Sequence, residues 1–217
     1  MTNPFFPFHA LGFQCNPFRA VTDSEWVDLA ILPDSIPANF VHLQLLGDQG
    51  HGKTTALLAL AARFDHCTYE HLEIDQDHFT TPLDGLRIFF LDEAQRLSAR
   101  ERERLFSKIK DVGLRVALGT HEDFSTSFAD RGWPLTTTYL DTVPRSHVEA
   151  VIRRRLSYFA LNPNRPHATL TPEAIAYLHQ TFGADLRLIE NVLYEVFEEL
   201  KEIGEIREIA AATVKNR

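Results

Sequence analysis

Apolar residues fall into two spacings along the chain. Val41, Leu43, Leu45 and Leu46 fit a buried strand, and Ala56 to Ala62 follows as an unbroken apolar helix. Cys67 to Asp75 alternates and predicts a second strand, followed by a loop over 76–85 that contains Pro82 and Gly85. Leu86 to Leu91 is a short, wholly apolar run, as expected of a parallel strand covered on both faces. Ser98 to Lys110 predicts a charged helix, with Ser98 and Glu101 spaced for a capping box. Leu114 to Leu118 predicts another buried strand, His121 to Arg131 a short helix, and Thr136 to Leu140 a last strand. Strands interleaved with helices predict an α/β fold with a five-stranded parallel sheet flanked by helices.

From Pro144 the pattern is helical only. Val148, Val151, Ile152, Leu156 and Phe159 recur at helical spacing. Thr171 and Pro172 open a second helix that Gly183 ends. Asp185 to Leu200 predicts a third, with Leu188, Ile189, Val192, Leu193, Val196, Phe197 and Leu200 on one face. At the other end, residues 1–40 hold five prolines, and five phenylalanines precede residue 20. Such prolines disfavour a long helix and such phenylalanines disfavour free disorder, so an extended strap with a short helix near Ser24–Ile31 is expected. The strap would cover a ligand, dock on a neighbouring subunit, or simply cover the core. The expected divisions are a strap over 1–40, an α/β core over 41–142 and a helical lid with its tail over 143–217.

Chemistry enters at the break between the first strand and its helix. Gly47-Asp48-Gln49-Gly50-His51-Gly52-Lys53-Thr54 fits G-x-x-x-x-G-K-[ST], a phosphate-binding loop. Its glycines let main-chain N–H groups turn inward, and the following helix end adds partial positive charge. Lys53 supplies a full charge for β- and γ-phosphates, Thr54 a hydroxyl for Mg²⁺, and Thr55 continues the loop into the helix. At the end of the third strand, Asp92 is placed to hold the metal and Glu93 to polarise an attacking water. ATP and Mg²⁺ are the expected ligands.

Composition changes the picture little. A 44% hydrophobic share supports a real core, and a net charge of −8 excludes general polyanion binding. Two cysteines, Cys15 and Cys67, lie outside any C-x-x-C, which fits a reducing compartment. No signal peptide or membrane-length apolar run is apparent, so a cytoplasmic protein with no membrane contact is expected. His66, His71 and His78 lack metal-ligand spacing. Arg96, Arg100, Arg102, Arg104, Lys108 and Lys110 outnumber Glu101 and Glu103 locally, either as a solvated face with internal pairs or as a phosphate-backbone contact.

The two nucleotide motifs, Gly47–Thr54 and Ile88–Glu93, together with the absence of Asn-Lys-x-Asp and Leu-Ser-Gly-Gly-Gln signatures, resemble an AAA+ ATPase over roughly residues 13–201. That resemblance implies a sensor 1 role for Thr120 and a sensor 2 role for Arg187 within Gly183-Ala184-Asp185-Leu186-Arg187. It also implies an arginine finger acting on a neighbour's nucleotide, at Arg131 or at Arg145. Gly12 to Phe18, with its Asn16-Pro17-Phe18, is similar to the opening of the ExeA and TniB/TnsC group. That branch implies a homo-oligomer, ring or filament, that uses ATP to assemble on duplex DNA and recruit a protein partner in transposition or target selection. A link of about ten residues before Leu86 replaces the usual helix, and no winged-helix follows, so autonomous sequence-specific DNA binding is not expected. A protein-remodelling or signalling ATPase, and a nucleotide-gated switch, are the alternatives.

Overall fold

A computed structural model describes residues 7–209. It divides into two compact units, one of Trp26–Asp141 and one that joins the residues up to Glu25 with those from Thr142. The opening segment is thus shared between the units rather than forming one strap over 1–40.

The first elements are a 3₁₀ turn at Pro7–Leu11 and α1 at Asp23–Leu29. In the central unit β1 (His42–Leu46) runs into α2 (Lys53–Ala61). β2 (Cys67–His71) and β3 (Ile88–Asp92) follow, joined without an intervening helix. Next come α3 (Ala99–Val112), β4 (Arg115–Thr120), α4 (Ser125–Ala129) and β5 (Leu135–Tyr139). All five strands are parallel, in the order β2-β3-β4-β1-β5. β2 is shorter than its alternating pattern predicts, because Leu72 turns into the core and the chain leaves the edge there. α4 covers less than the expected 121–131, since Asp123 and Phe124 bond to a buried glutamine instead.

Alternation on β3 explains why the sheet is buried twice. Ile88 and Phe90 pack with Leu43, Leu45, Leu57 and Leu60 on the α2 face. Phe89 and Leu91 pack with Leu105, Phe106, Ile109 and Phe128 on the α3 face. Polar groups inside are paired. Gln44, fully buried, donates to Asp123, Ser125 and Thr137 and accepts from the Phe124 N–H at 2.9 Å. The capping box at Ser98 does not form. Its hydroxyl caps nothing, its N–H goes to the Asp77 carbonyl at 2.9 Å, and the Glu101 carboxylate pairs with Arg104 at 2.7 Å one turn on.

His42 accepts the Val116 N–H at 3.2 Å through Nδ1, so the fold requires a neutral imidazole. Burial, and after it the charge of Arg115, pulls this group from 6.5 down to about 4. The unfolded chain then binds more protons than the folded one between those values, so stability falls as pH drops from about 6.5 towards about 4. The loss amounts to roughly 3 kcal/mol once both limits are passed. Urea midpoints measured from pH 7 to pH 4 should fall less steeply in His42→Gln protein than in the wild type.

The second unit is helical: α5 (Arg145–Phe159), α6 (Pro172–Phe182) and α7 (Leu186–Glu199). Thr171 and Asp185 cap α6 and α7 through their side chains, as their positions predict. A two-stranded parallel pair, β6 (Thr169–Leu170) with β7 (Glu205–Ile206), gives the stretch after Gly204 a structure its sequence did not foretell. Asn16-Pro17-Phe18 belongs to this unit. Asn16 donates to the Tyr194 carbonyl and to Glu198, each at 3.0 Å, and Phe18 stacks on Phe197. Buried Arg155 pairs twice with Glu190, at 2.7 and 2.9 Å, and gives both Nη1 protons to the Pro17 and Arg19 carbonyls.

Candidate functional site

The site lies at the carboxyl ends of β1, β3 and β4, where open parallel sheets bring their loops together. Gly50 and Gly52 take φ values of 88° and 82°, a left-handed backbone that lets residues 47–54 wrap before α2 begins at Lys53. Asp48 and Gln49 are exposed on the outer shoulder; Gly50, His51, Gly52, Thr54 and Thr55 are partly covered. Asp141, just past β5, braces that shoulder, accepting the Asp48 N–H at 3.0 Å and meeting His51 at 2.7 Å.

Lys53 is 5% exposed, and its ammonium donates to the Gly47 and Asp48 carbonyls at 2.6 and 2.9 Å. Burial lowers its pKa, while the nearby carboxylates Glu93, Asp92, Asp141 and Asp48 act in the opposite direction. Neighbouring carbonyls are weak partners for a desolvated cation, so the lysine is suited to an incoming anion.

Thr54 and Asp92 come together. The Thr54 hydroxyl donates to Asp92 Oδ2 at 2.6 Å, although the two are 38 residues apart. Asp92 is fully buried and also receives Tyr69 at 3.2 Å, His71 at 3.3 Å and the Glu93 N–H at 3.0 Å. Gly119 makes room for it: a Cβ there would stand 2.3 Å from Asp92 Oδ1. A glycine at the end of a buried strand was the sequence signal for this close approach. One hydroxyl and one carboxylate are hard oxygen donors that fit Mg²⁺, which takes its remaining ligands from water and phosphate.

Glu93 has a φ of 58°, an uncommon left-handed conformation for a residue with a side chain, and such strain clusters at working sites. Its carboxylate meets Arg96 at 2.9 Å, Gln95 at 2.8 Å and His121 Nε2 at 3.6 Å. Thr120 is fully buried, and its hydroxyl closes on Glu122 of its own loop, donating to the carbonyl and accepting the N–H, both at 2.9 Å. His121 reaches in instead, its Nε2 standing 3.4 Å from Lys53 Nζ. Neither His121 nor Gln95 was singled out by sequence pattern. A polar residue at the end of a central strand is the signal that could have found the first.

The remaining arginines separate. Arg131 donates to the Ser127 carbonyl at 2.9 Å, pairs with Glu103 at 2.5 Å and lies over the Phe106 ring, so it is engaged within its own unit. Arg145 and Arg187 are exposed at the starts of α5 and α7, in the helical unit. Along α3, Arg102 binds the Leu97 and Gln95 carbonyls and Glu122, Arg104 binds Glu101 and stacks on Phe79, and Lys108 binds Asp84. The helix is therefore mostly self-paired; Arg100 and Lys110 remain exposed.

Known structures share this fold. A single-site variant of RuvB from Thermotoga maritima superposes with a TM-score of 0.57 at 19% identity, covering 80% of this chain and 61% of that one. NtrX from Brucella abortus, solved in complex with ADP, gives 0.52 at 12% identity, covering 88% and 52%; its ATP complex gives 0.52 at 13%. These likenesses show a shared α/β fold, a parallel sheet flanked by helices. The chain spans between about half and three fifths of the length of these neighbours. No protein-family model matches the sequence, and no curated protein matches it. Among the described residues, no helix is long and apolar enough to cross a membrane.

Proposed function

We propose that the protein binds ATP with Mg²⁺ and hydrolyses it as an AAA+ ATPase. The observation that carries this reading is the Thr54–Asp92 hydrogen bond, which joins the two nucleotide motifs beside a buried, unneutralised Lys53. The loop over Gly47–Thr54 wraps the β- and γ-phosphates, Lys53 neutralises them, and Thr55 lies at the start of α2 beside them. Bound Mg²⁺, held by Thr54 and Asp92, would draw charge from the phosphate oxygens. Glu93 takes a proton from water as the water oxygen bonds to the γ-phosphorus. The bond from that phosphorus to the β-phosphate oxygen breaks, and ADP leaves with the electron pair. Thr120, through its loop, is assigned a supporting role at the γ-phosphate. The arginine donated to a neighbouring subunit is assigned to Arg145, because Arg131 is already committed to Glu103 and Ser127.

The protein then works as a homo-oligomer. The opening Asn16-Pro17-Phe18, similar to that of the ExeA and TniB/TnsC group, supports a DNA-associated regulator of transposition or target selection. A protein-remodelling switch without DNA is the second reading, favoured by the self-pairing of Arg102, Arg104 and Lys108. Sizing the protein with a slowly hydrolysed ATP analogue separates them. The DNA reading expects assembly on long duplex DNA at about 50 mM salt, lost steeply as salt rises. Assembly that ignores DNA favours the remodelling reading, and a monomer under all conditions removes both.

A further inference from the structure

Glu93 sits in a closed circuit that involves two residues with no assigned task. The Gln95 amide donates through Nε2 to Glu93 Oε2 at 2.8 Å, while its Oε1 accepts the backbone N–H of His121 at 3.2 Å. His121 returns to the start, with Nε2 3.6 Å from Glu93 Oε1. The same Nε2 lies 3.4 Å from Lys53 Nζ. One ring nitrogen serves one of these neighbours at a time: without a proton it accepts from Lys53, and with one it faces the Glu93 carboxylate. The circuit fixes orientation as well as distance. An amide has one donor end and one acceptor end, so taking the His121 N–H with its oxygen turns the nitrogen of Gln95 towards Glu93. The backbone of Gln95 is itself anchored, since its carbonyl accepts from Arg102 at 2.7 Å. A left-handed Glu93 needs such support, because a strained backbone persists only where its surroundings over-determine it.

We infer that Gln95 and His121 are positioning residues: together they aim the Glu93 carboxylate and anchor it to the end of β4. This rests on the ATPase reading above. Thr120 is not a substitute, because its hydroxyl is spent on Glu122. Arg96 also reaches Glu93 Oε2, at 2.9 Å, but its other bond goes to the Leu72 carbonyl beyond β2, so it holds the carboxylate from the opposite side. In terms of kinetics, positioning belongs to turnover and not to nucleotide affinity.

Gln95→Glu is the informative variant. It keeps the size of the side chain and the oxygen that receives the His121 N–H, but it removes the proton given to Glu93 and sets a like charge beside it. ATP affinity by calorimetry and turnover by phosphate release would be measured for Gln95→Glu, His121→Ala, the pair together and His121→Gln. Each single variant should lose at least about tenfold in kcat while its ATP Kd stays within about twofold. The double variant should fall no more than about threefold below the worse single one, since members of one circuit are not additive. His121→Gln, which retains a terminal N–H, should recover part of the loss. Wild-type kcat in Gln95→Glu overturns the inference, as does a change confined to Kd. Additive losses in the double variant overturn the circuit. A wild-type protein that neither binds nor hydrolyses ATP removes the ATPase reading itself, a result distinct from active wild type with unaffected variants.

Discussion

Lys53→Ala protein should bind ATP at least about 100-fold more weakly than the wild type, to the point that calorimetry registers no saturating heat. The lysine is buried on the inner side of the phosphate loop, and its ammonium is held by the loop carbonyls of Gly47 and Asp48, with His121 Nε2 further off at 3.4 Å. An ammonium in that setting has lost most of its hydration and regains it only from an anion. A charge-assisted contact with two phosphate groups in a desolvated pocket is worth several times one in water. The fold should tolerate the change. Alanine suits the first turn of α2, and removal of a desolvated charge offsets the loss of two hydrogen bonds. The thermal midpoint should accordingly move by less than about 4 °C. Unchanged ATP affinity in a folded variant would mean that residues 47–54 do not hold phosphate.

Glu93→Gln should leave ATP binding intact and cut turnover about 100-fold or more. The amide keeps the length of the side chain and can still meet Gln95, and Asp92 and Thr54 remain to hold the metal. What disappears is the ability to accept a proton from water. The geometry makes this separation clean. Asp92 is wholly buried and bonded to Thr54, Tyr69 and His71, whereas Glu93, one residue on, turns through its left-handed φ towards Lys53 and His121. Equal turnover in the variant would place the base on another residue.

The two strongest features of the site were legible because each is local. A strand, a glycine loop and an apolar helix follow one another within residues 41–63, and an apolar run ends on Asp92 and Glu93. The parallel sheet was legible for the same reason, as alternation and helical spacing report on neighbours along the chain. What the sequence hid was lateral. Gln95, His121 and Glu93 meet because β4 lies between β3 and β1, and no spacing in the chain records strand order. Thr120 matched a position but not an orientation, since a hydroxyl beside a turn bonds its own backbone readily. Of the two readings the α3 arginines allowed, internal pairing is the one found, as Arg102 and Arg104 fold back onto carbonyls and carboxylates of the same unit. Asn16-Pro17-Phe18 was legible as a motif, but not as a staple on α7 through Tyr194 and Glu198. Glu101 went to Arg104 instead of the helix cap, since the Ser98 N–H it would have accepted is already taken by the Asp77 carbonyl.

The central claim is that this site takes ATP at the phosphate loop with a metal held by Thr54 and Asp92. Calorimetric titration of the wild-type protein with ATP, with and without Mg²⁺, tests it most directly, with Asp92→Asn as the matched variant. The account predicts saturable one-site binding that Mg²⁺ tightens in the wild type and does not tighten in Asp92→Asn. Binding that ignores Mg²⁺ in both proteins would contradict the metal assignment, and no saturable heat in the wild type would contradict the account as a whole.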